Sequence, residues 1–257
     1  MNLKNEKLGA SLLLFTAISV IIAFFIVEPI AQDPSYHHFS DSLTLVSLPN
    51  ALNVLSNLPF FIVGIIGLSL LKKEAHSLTI VESNKLAYIM LYLGSALVGL
   101  GSSYYHLAPN NDTLLWDRIP MTIAFMGLYA VIISEFISEK WGKLLLLPLI
   151  MVSIASVLYW WFSEQSGAGD LRYYAVAQFF PMLTIPIILI FYRSKFNGVS
   201  AYWLLIISYA AAKLCESFDV EIHQLLGVVS GHSIKHVFPA IGLYIVLRHY
   251  QKRLKIA

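Results

Sequence analysis

Charge is scarce in this sequence. Asp, Glu, Lys and Arg make up 12% of its 257 residues, while 58% are hydrophobic; soluble domains carry roughly 25% charged residues. That balance excludes an ordinary soluble domain and fits a polytopic membrane protein. Cysteine is nearly absent: Cys215 stands alone and cannot form an intrachain disulfide. No basic cluster with interleaved aromatics is present, so a nucleic-acid partner is not expected. The chain also has no internal repeat, low-complexity tract or linker, which predicts one polytopic membrane domain over residues 1–257.

What the sequence does have is long apolar runs. A hydrocarbon core of about 30 Å needs about 20 apolar residues in a helix. Eight stretches qualify as candidate spans: 9–29, 54–71, 85–106, 118–138, 143–162, 173–192, 200–217 and 232–249. The first follows a basic N-terminus, as a signal peptide does. Its run from Ala10 to Val27 is long for that role and no small-residue cleavage site follows, so a retained helix is expected. Orientation follows from Lys and Arg. Lys4, Lys7, Lys72, Lys73, Lys85, Lys140, Lys143, Arg193, Lys195, Arg248, Lys252, Arg253 and Lys255 fall in one set of termini and loops; Arg118 and Arg172 fall in the opposite set. Both termini are therefore expected on the cytoplasmic side.

The polar residues inside these runs fall in two clusters. In 99–121 Ser102 and His106 stand four apart, and Asp117 follows eleven residues later. In 230–239 His232 and His236 again stand four apart. Residues four apart share a helix face. The predicted topology brings His106, Asp117, His232 and His236 to the outer side of the bilayer. Three imidazoles and a carboxylate are the inventory of a catalytic zinc site, and ionisable groups within a membrane point to function. On this reading the three histidines are ligands, Asp117 is the general base and Ser102 an oxyanion donor in a metal-dependent amide hydrolase. Each residue also has a plainer reading. The histidine pair could bond between helices or ligate a haem, and Asp117 could cap the fourth span ahead of Pro120. Ser102 could belong to a packing face with Gly99, Gly101 and Ser103.

Other polar residues invite assignments. Lys213 and Glu216 form an i,i+3 pair, and Lys235 is expected to meet Glu216 or Asp219. Asn57 is read as bonding between helices, and Tyr104, Tyr105 and Trp116 as an interfacial belt. The loop 30–53, with Asp33, His37, His38 and Asp41, is placed to cover the site. Segment 218–231 reads as a short re-entrant or interfacial helix, with Ser230 capping the last span.

The spacing Ser102-xxx-His106, the step to Asp117 and His232-xxx-His236, with NVLSNLPF at 53–60, resembles the alkaline ceramidases. These are part of a superfamily of seven-helix intramembrane hydrolases that includes the adiponectin and progestin receptors. The resemblance covers about 50–250 and implies an all-α integral membrane fold: a seven-transmembrane-helix core with one extra N-terminal transmembrane helix at 1–30. It implies zinc on His106, His232 and His236, catalytic roles for Ser102 and Asp117, and hydrolysis of ceramide to a sphingoid base and a fatty acid. The family's acidic calcium-binding stretch is replaced here by QDPSYHHFSDS, and Asn50 stands where a calcium-ligating glutamate is found, so calcium is not carried over. The expected partners are a ceramide-like lipid amide and membrane lipids; the compact form suggests a prokaryotic inner membrane. The rival readings are an adiponectin-receptor-like sensor with weak hydrolase activity, a bis-histidine haem protein and an ion transporter using Lys213, Glu216 and Asp219.

Overall fold

The computed structural model describes residues 3–73 and 77–256. Residues 1, 2, 74–76 and 257, which the expected 1–257 domain includes, lie outside the described residues. The described chain is helical: α1 (Leu3–Ile26), α2 (Ala51–Leu55), α3 (Leu58–Lys72), α4 (Lys85–Leu107), α5 (Asn111–Ile132), α6 (Glu139–Gln165), α7 (Arg172–Phe191), α8 (Ser200–Ser217), α9 (Asp219–Leu226) and α10 (Gly231–Lys252). A π-helical turn, Ile133–Ile137, extends α5. Helices are the open-chain solution in lipid, because they satisfy their backbone polar groups internally.

Among the described residues, six segments are long and apolar enough to cross a membrane: α1, α2 with α3, α4, α5 with its π turn, α6 and α7. The chain is an all-α, multi-pass membrane protein. Helices α8 and α10 span 18 and 22 residues but carry Lys213, Glu216, His232, Lys235 and His236. These polar residues dilute the apolar character of the two helices that hold them. Leu14, Phe15, Phe25, Met151 and Val152 are exposed on the surface, as lipid-facing side chains are.

Close packing among α3, α4 and α5 depends on small residues. A Cβ on Gly64 would lie 2.4 Å from the backbone N of Ala96. At Gly101 it would lie 2.0 Å from the Trp116 carbonyl oxygen. Pro120 has no N–H to give that carbonyl one turn later, so α5 leaves it free on the face that meets Gly101. This contact fixes α4 against α5 between Ser102 and Asp117.

Helix α5 begins seven residues before the expected start of its span. Asn110 caps it, accepting from the backbone N of Asp112 and Thr113, while the Thr113 hydroxyl accepts from the Asn110 N. Asp117 therefore lies well within the helix, and the N-cap reading of Asp117 is wrong. Arg118 is likewise no loop residue: it is a buried helical side chain.

Helix α1 stands apart, packing mainly on α7. Arg172 Nη1 donates to the carbonyl of Val27 at 2.6 Å, and the Leu171 N donates to that of Ile30 at 2.8 Å. At the end of the bundle away from the histidines, Arg253 makes a bidentate pair with Glu135 (2.6 and 2.9 Å). The hydroxyls of Tyr88 and Tyr202 also donate to Glu135. Both charges are almost fully buried; removing one partner of such a pair costs about 3–5 kcal/mol. This pair ties the C-terminus to the π turn.

Candidate active site

The C-terminal turn of α4, the first turns of α5 and the first turns of α10 meet at one end of the bundle. There His106, His232 and His236 converge, each offering a ring nitrogen within 4.8 Å of the others. Their ring centroids lie 5.0, 4.9 and 5.2 Å apart. All three are buried. His106 Nδ1 and His232 Nε2 have no hydrogen-bond partner. His236 Nδ1 lies 2.8 Å from Ser56 Oγ, which itself donates to the Asn53 carbonyl. A hydroxyl has one proton, so His236 Nδ1–H donates to Ser56 and Nε2 keeps its lone pair. A bis-histidine haem needs two imidazoles on opposite faces of a macrocycle; these three ring centroids form a near-equilateral triangle that leaves no such gap. Three imidazoles with free lone pairs can hold a metal ion.

The backbone carrying the histidines is pinned. The His106 carbonyl, one of the unpaired acceptors at the α4 C-terminus, accepts from Asn50 Nδ2 at 2.9 Å. Asn50 adopts the left-handed region (φ 48°), which asparagine tolerates better than most residues. At the start of α10, Ser230 Oγ accepts from the Ser233 N at 3.1 Å, the expected cap, and Asp219 Oδ1 accepts from the His232 N at 2.7 Å. Asn53 accepts from Ser233 Oγ at 2.8 Å. The segment Asn53–Asn57 thus braces α10 from the side. Asn57 does not bond between helices as expected: its Nδ2 donates to the Asn53 carbonyl four residues back.

The loop preceding α2 covers the histidines, as its position in the sequence suggested. Phe39 packs on His232 and His106, with centroids 4.3 and 4.7 Å apart. Ser40 N donates to Asp219 Oδ2 at 2.9 Å. His37 bridges Tyr105 OH and Asn111 Oδ1 at 3.0 Å each. The amide oxygen only accepts, so Nε2–H donates to Asn111 and Nδ1 accepts from the Tyr105 hydroxyl. Burial pushes the His37 imidazole below its ordinary range and the Arg118 charge adds to this, against the opposing Asn111 bond. Tyr105 is therefore a buried anchor and not part of an interfacial belt; Tyr104 and Trp116 remain exposed.

Beside the histidines lies a cavity of about 350 Å³. Its walls are apolar, formed by residues such as Leu91, Phe125, Met182, Leu205 and Leu243. Its polar end carries Ser102, Asp117, Lys235 and His236. Ser102 is buried and lies beside the Asp117 carboxylate. The small-residue face is made by its neighbours instead: Gly99 packs on Phe61, Gly101 on Trp116, and Ser103 Oγ donates to the Gly99 carbonyl. The expected Lys213–Glu216 pair is present, and Lys235 bonds the other oxygen of Glu216. Asp219 is occupied in anchoring α10 and the loop. Helix α9 is the short helix expected in 218–231.

Sequence reasoning missed Ser56, Phe39 and Arg118. Ser56 stands inside the NVLSNLPF string already singled out, but only the fold shows that it faces a histidine more than a hundred residues away.

No curated protein and no solved structure matches this chain. Residues 45–253 match the family model described as Ceramidase. That stretch runs from the loop before α2 to the end of α10 and contains every residue of the histidine cluster and the cavity's polar end, so this chain belongs to the Ceramidase family and is an amide-bond hydrolase.

Proposed function

We propose that the protein is a zinc-dependent intramembrane amidase that cleaves ceramide, or a closely related lipid amide, to a sphingoid base and a fatty acid. The carrying observation is the convergence of three buried imidazoles beside an apolar cavity that also holds Asp117 and Ser102. A buried polar atom with no partner costs about 1–3 kcal/mol; His106 Nδ1 and His232 Nε2 are two such atoms, and a cation held by all three rings satisfies them. An all-imidazole donor set suits zinc. Zinc held there would supply Lewis acidity, making water acidic enough to ionise near neutral pH and polarising a carbonyl oxygen.

The remaining chemistry falls to the chain's own groups. Lipid tails lie along the apolar walls, which places the amide at the polar end. Asp117 takes a proton from the water that adds to the amide carbon. The Ser102 hydroxyl donates to the carbonyl oxygen as it gains charge. The C–N bond then breaks as Asp117 returns the proton to the departing nitrogen, leaving an amine and a carboxylic acid. Phe39 and the loop around it keep bulk water from the histidines. We place both termini on the cytoplasmic side and the site toward the outer side on the Lys/Arg asymmetry. The core is residues 50–250, with 1–30 an added helix of the same domain.

Purified protein supplied with ceramide should release a long-chain amine and a fatty acid in equal amounts. Chelation should abolish this and zinc restore it; hydrolysis that continues after the metal is removed would refute the proposal. Ser56→Ala removes the acceptor that fixes the His236 tautomer. Losing such an outer partner is expected to weaken zinc affinity about 10–100-fold, read by chelator competition, with the protein still folded.

A further inference from the structure

Positive charge exceeds negative at the polar end of the cavity. Arg118, Lys213 and Lys235 line it, against Glu216 and Asp117. Lys213 and Lys235 each bond one oxygen of Glu216, so a single carboxylate serves two ammonium groups. Arg118 has no carboxylate partner among the described residues. It is 6% exposed, and its guanidinium carbon sits 4.0 Å from the Trp160 ring centroid and 4.7 Å from that of Tyr174. Nη2 donates to Gln32 Oε1 at 2.7 Å, while Nη1 is buried with no partner at all.

An arginine cannot relieve this by losing its proton. The aromatic rings lie against the guanidinium and Gln32 takes Nη2, which leaves Nη1 as a buried, unpaired donor on a residue that lines the cavity. An oxygen of a phosphate, sulfonate or carboxylate would satisfy that donor with a charge-assisted hydrogen bond. A cationic head group would meet the surplus positive charge, and the neutral diol of ceramide would leave that charge unmatched.

We propose that Arg118, backed by Lys213 and Lys235, forms a subsite for an oxyanion on the lipid, so that the preferred substrate is a lipid amide with a negatively charged head group. The inference rests on the amidase reading above and narrows its substrate. The fatty-acid product also bears an oxyanion, and the test separates the two sources.

Turnover of a ceramide and of its 1-phosphate with identical chains is compared in nonionic detergent. Wild type should favour the phosphate by about tenfold or more in kcat/KM, the scale of one charge-assisted hydrogen bond. Arg118→Gln should cut that ratio at least tenfold, mainly through KM, and Arg118→Lys should retain part of it. In parallel, calorimetry measures wild type binding hexadecyl phosphate, hexadecanoate and hexadecanol. The phosphate should bind at least tenfold tighter than the alcohol, and Arg118→Gln should erase the difference. Equal turnover of the two amides by wild type would overturn the proposal. So would Arg118-dependent binding of hexadecanoate without any turnover advantage for the phosphate, because the subsite would then serve the product acid. Arg118-dependent binding of hexadecyl phosphate with no hydrolysis of either amide would retain the oxyanion site and sink the amidase reading instead.

Discussion

His232→Ala is expected to yield protein that folds but binds no zinc tightly and has lost amidase activity. The side chain is buried and its Nε2 has no protein partner, so its removal leaves two imidazoles where three converge. The turn that carries it is held through the backbone, by Asp219 on the His232 N and Ser230 on the Ser233 N, and both bonds survive the substitution. The loss of activity should exceed the roughly 10–100-fold effect of removing an outer partner of a ligand. Metal analysis and ceramide turnover on the same preparation check it. A variant that keeps both zinc and turnover would remove His232 from the site.

Asp117→Asn should separate metal from chemistry. The carboxylate lies beside Ser102 in the cavity and outside the histidine cluster. The amide side chain keeps the shape but cannot accept the proton of water. General acid–base assistance is worth about 10²–10⁴-fold, and kcat should fall by that amount while zinc content stays at the wild-type level. Loss of zinc would make Asp117 a ligand; unchanged kcat would make it a bystander.

Much of this architecture was legible in the sequence, for a physical reason. A helix crossing lipid must be apolar over most of its length, so the spans announce themselves, and polar residues within them stand out against that background. Ser102, His106, Asp117, His232 and His236 were legible for this reason, and helical spacing placed each pair on one face. The start of α5 was not legible. Its first residues, Asn111, Asp112 and Thr113, are polar, and its cap uses Asn110 with Thr113 in place of the more familiar serine and glutamate. That single displacement turned Arg118 from a buried cavity residue into a loop charge. Arg253 misled in the same manner, counted as a flanking cation although Glu135 holds it in the bundle. Pairings over such distances depend on the order in which helices pack, which hydropathy does not encode. The same holds for Ser56 on His236 and Phe39 over His232.

The most direct test is metal analysis of the purified protein together with X-ray absorption at the zinc edge. One zinc per chain, with three imidazole nitrogens at roughly 2.0–2.1 Å, is the result expected from the convergence of His106, His232 and His236. Fully active protein with no bound metal, or zinc held by sulfur or by fewer than three imidazoles, would contradict it.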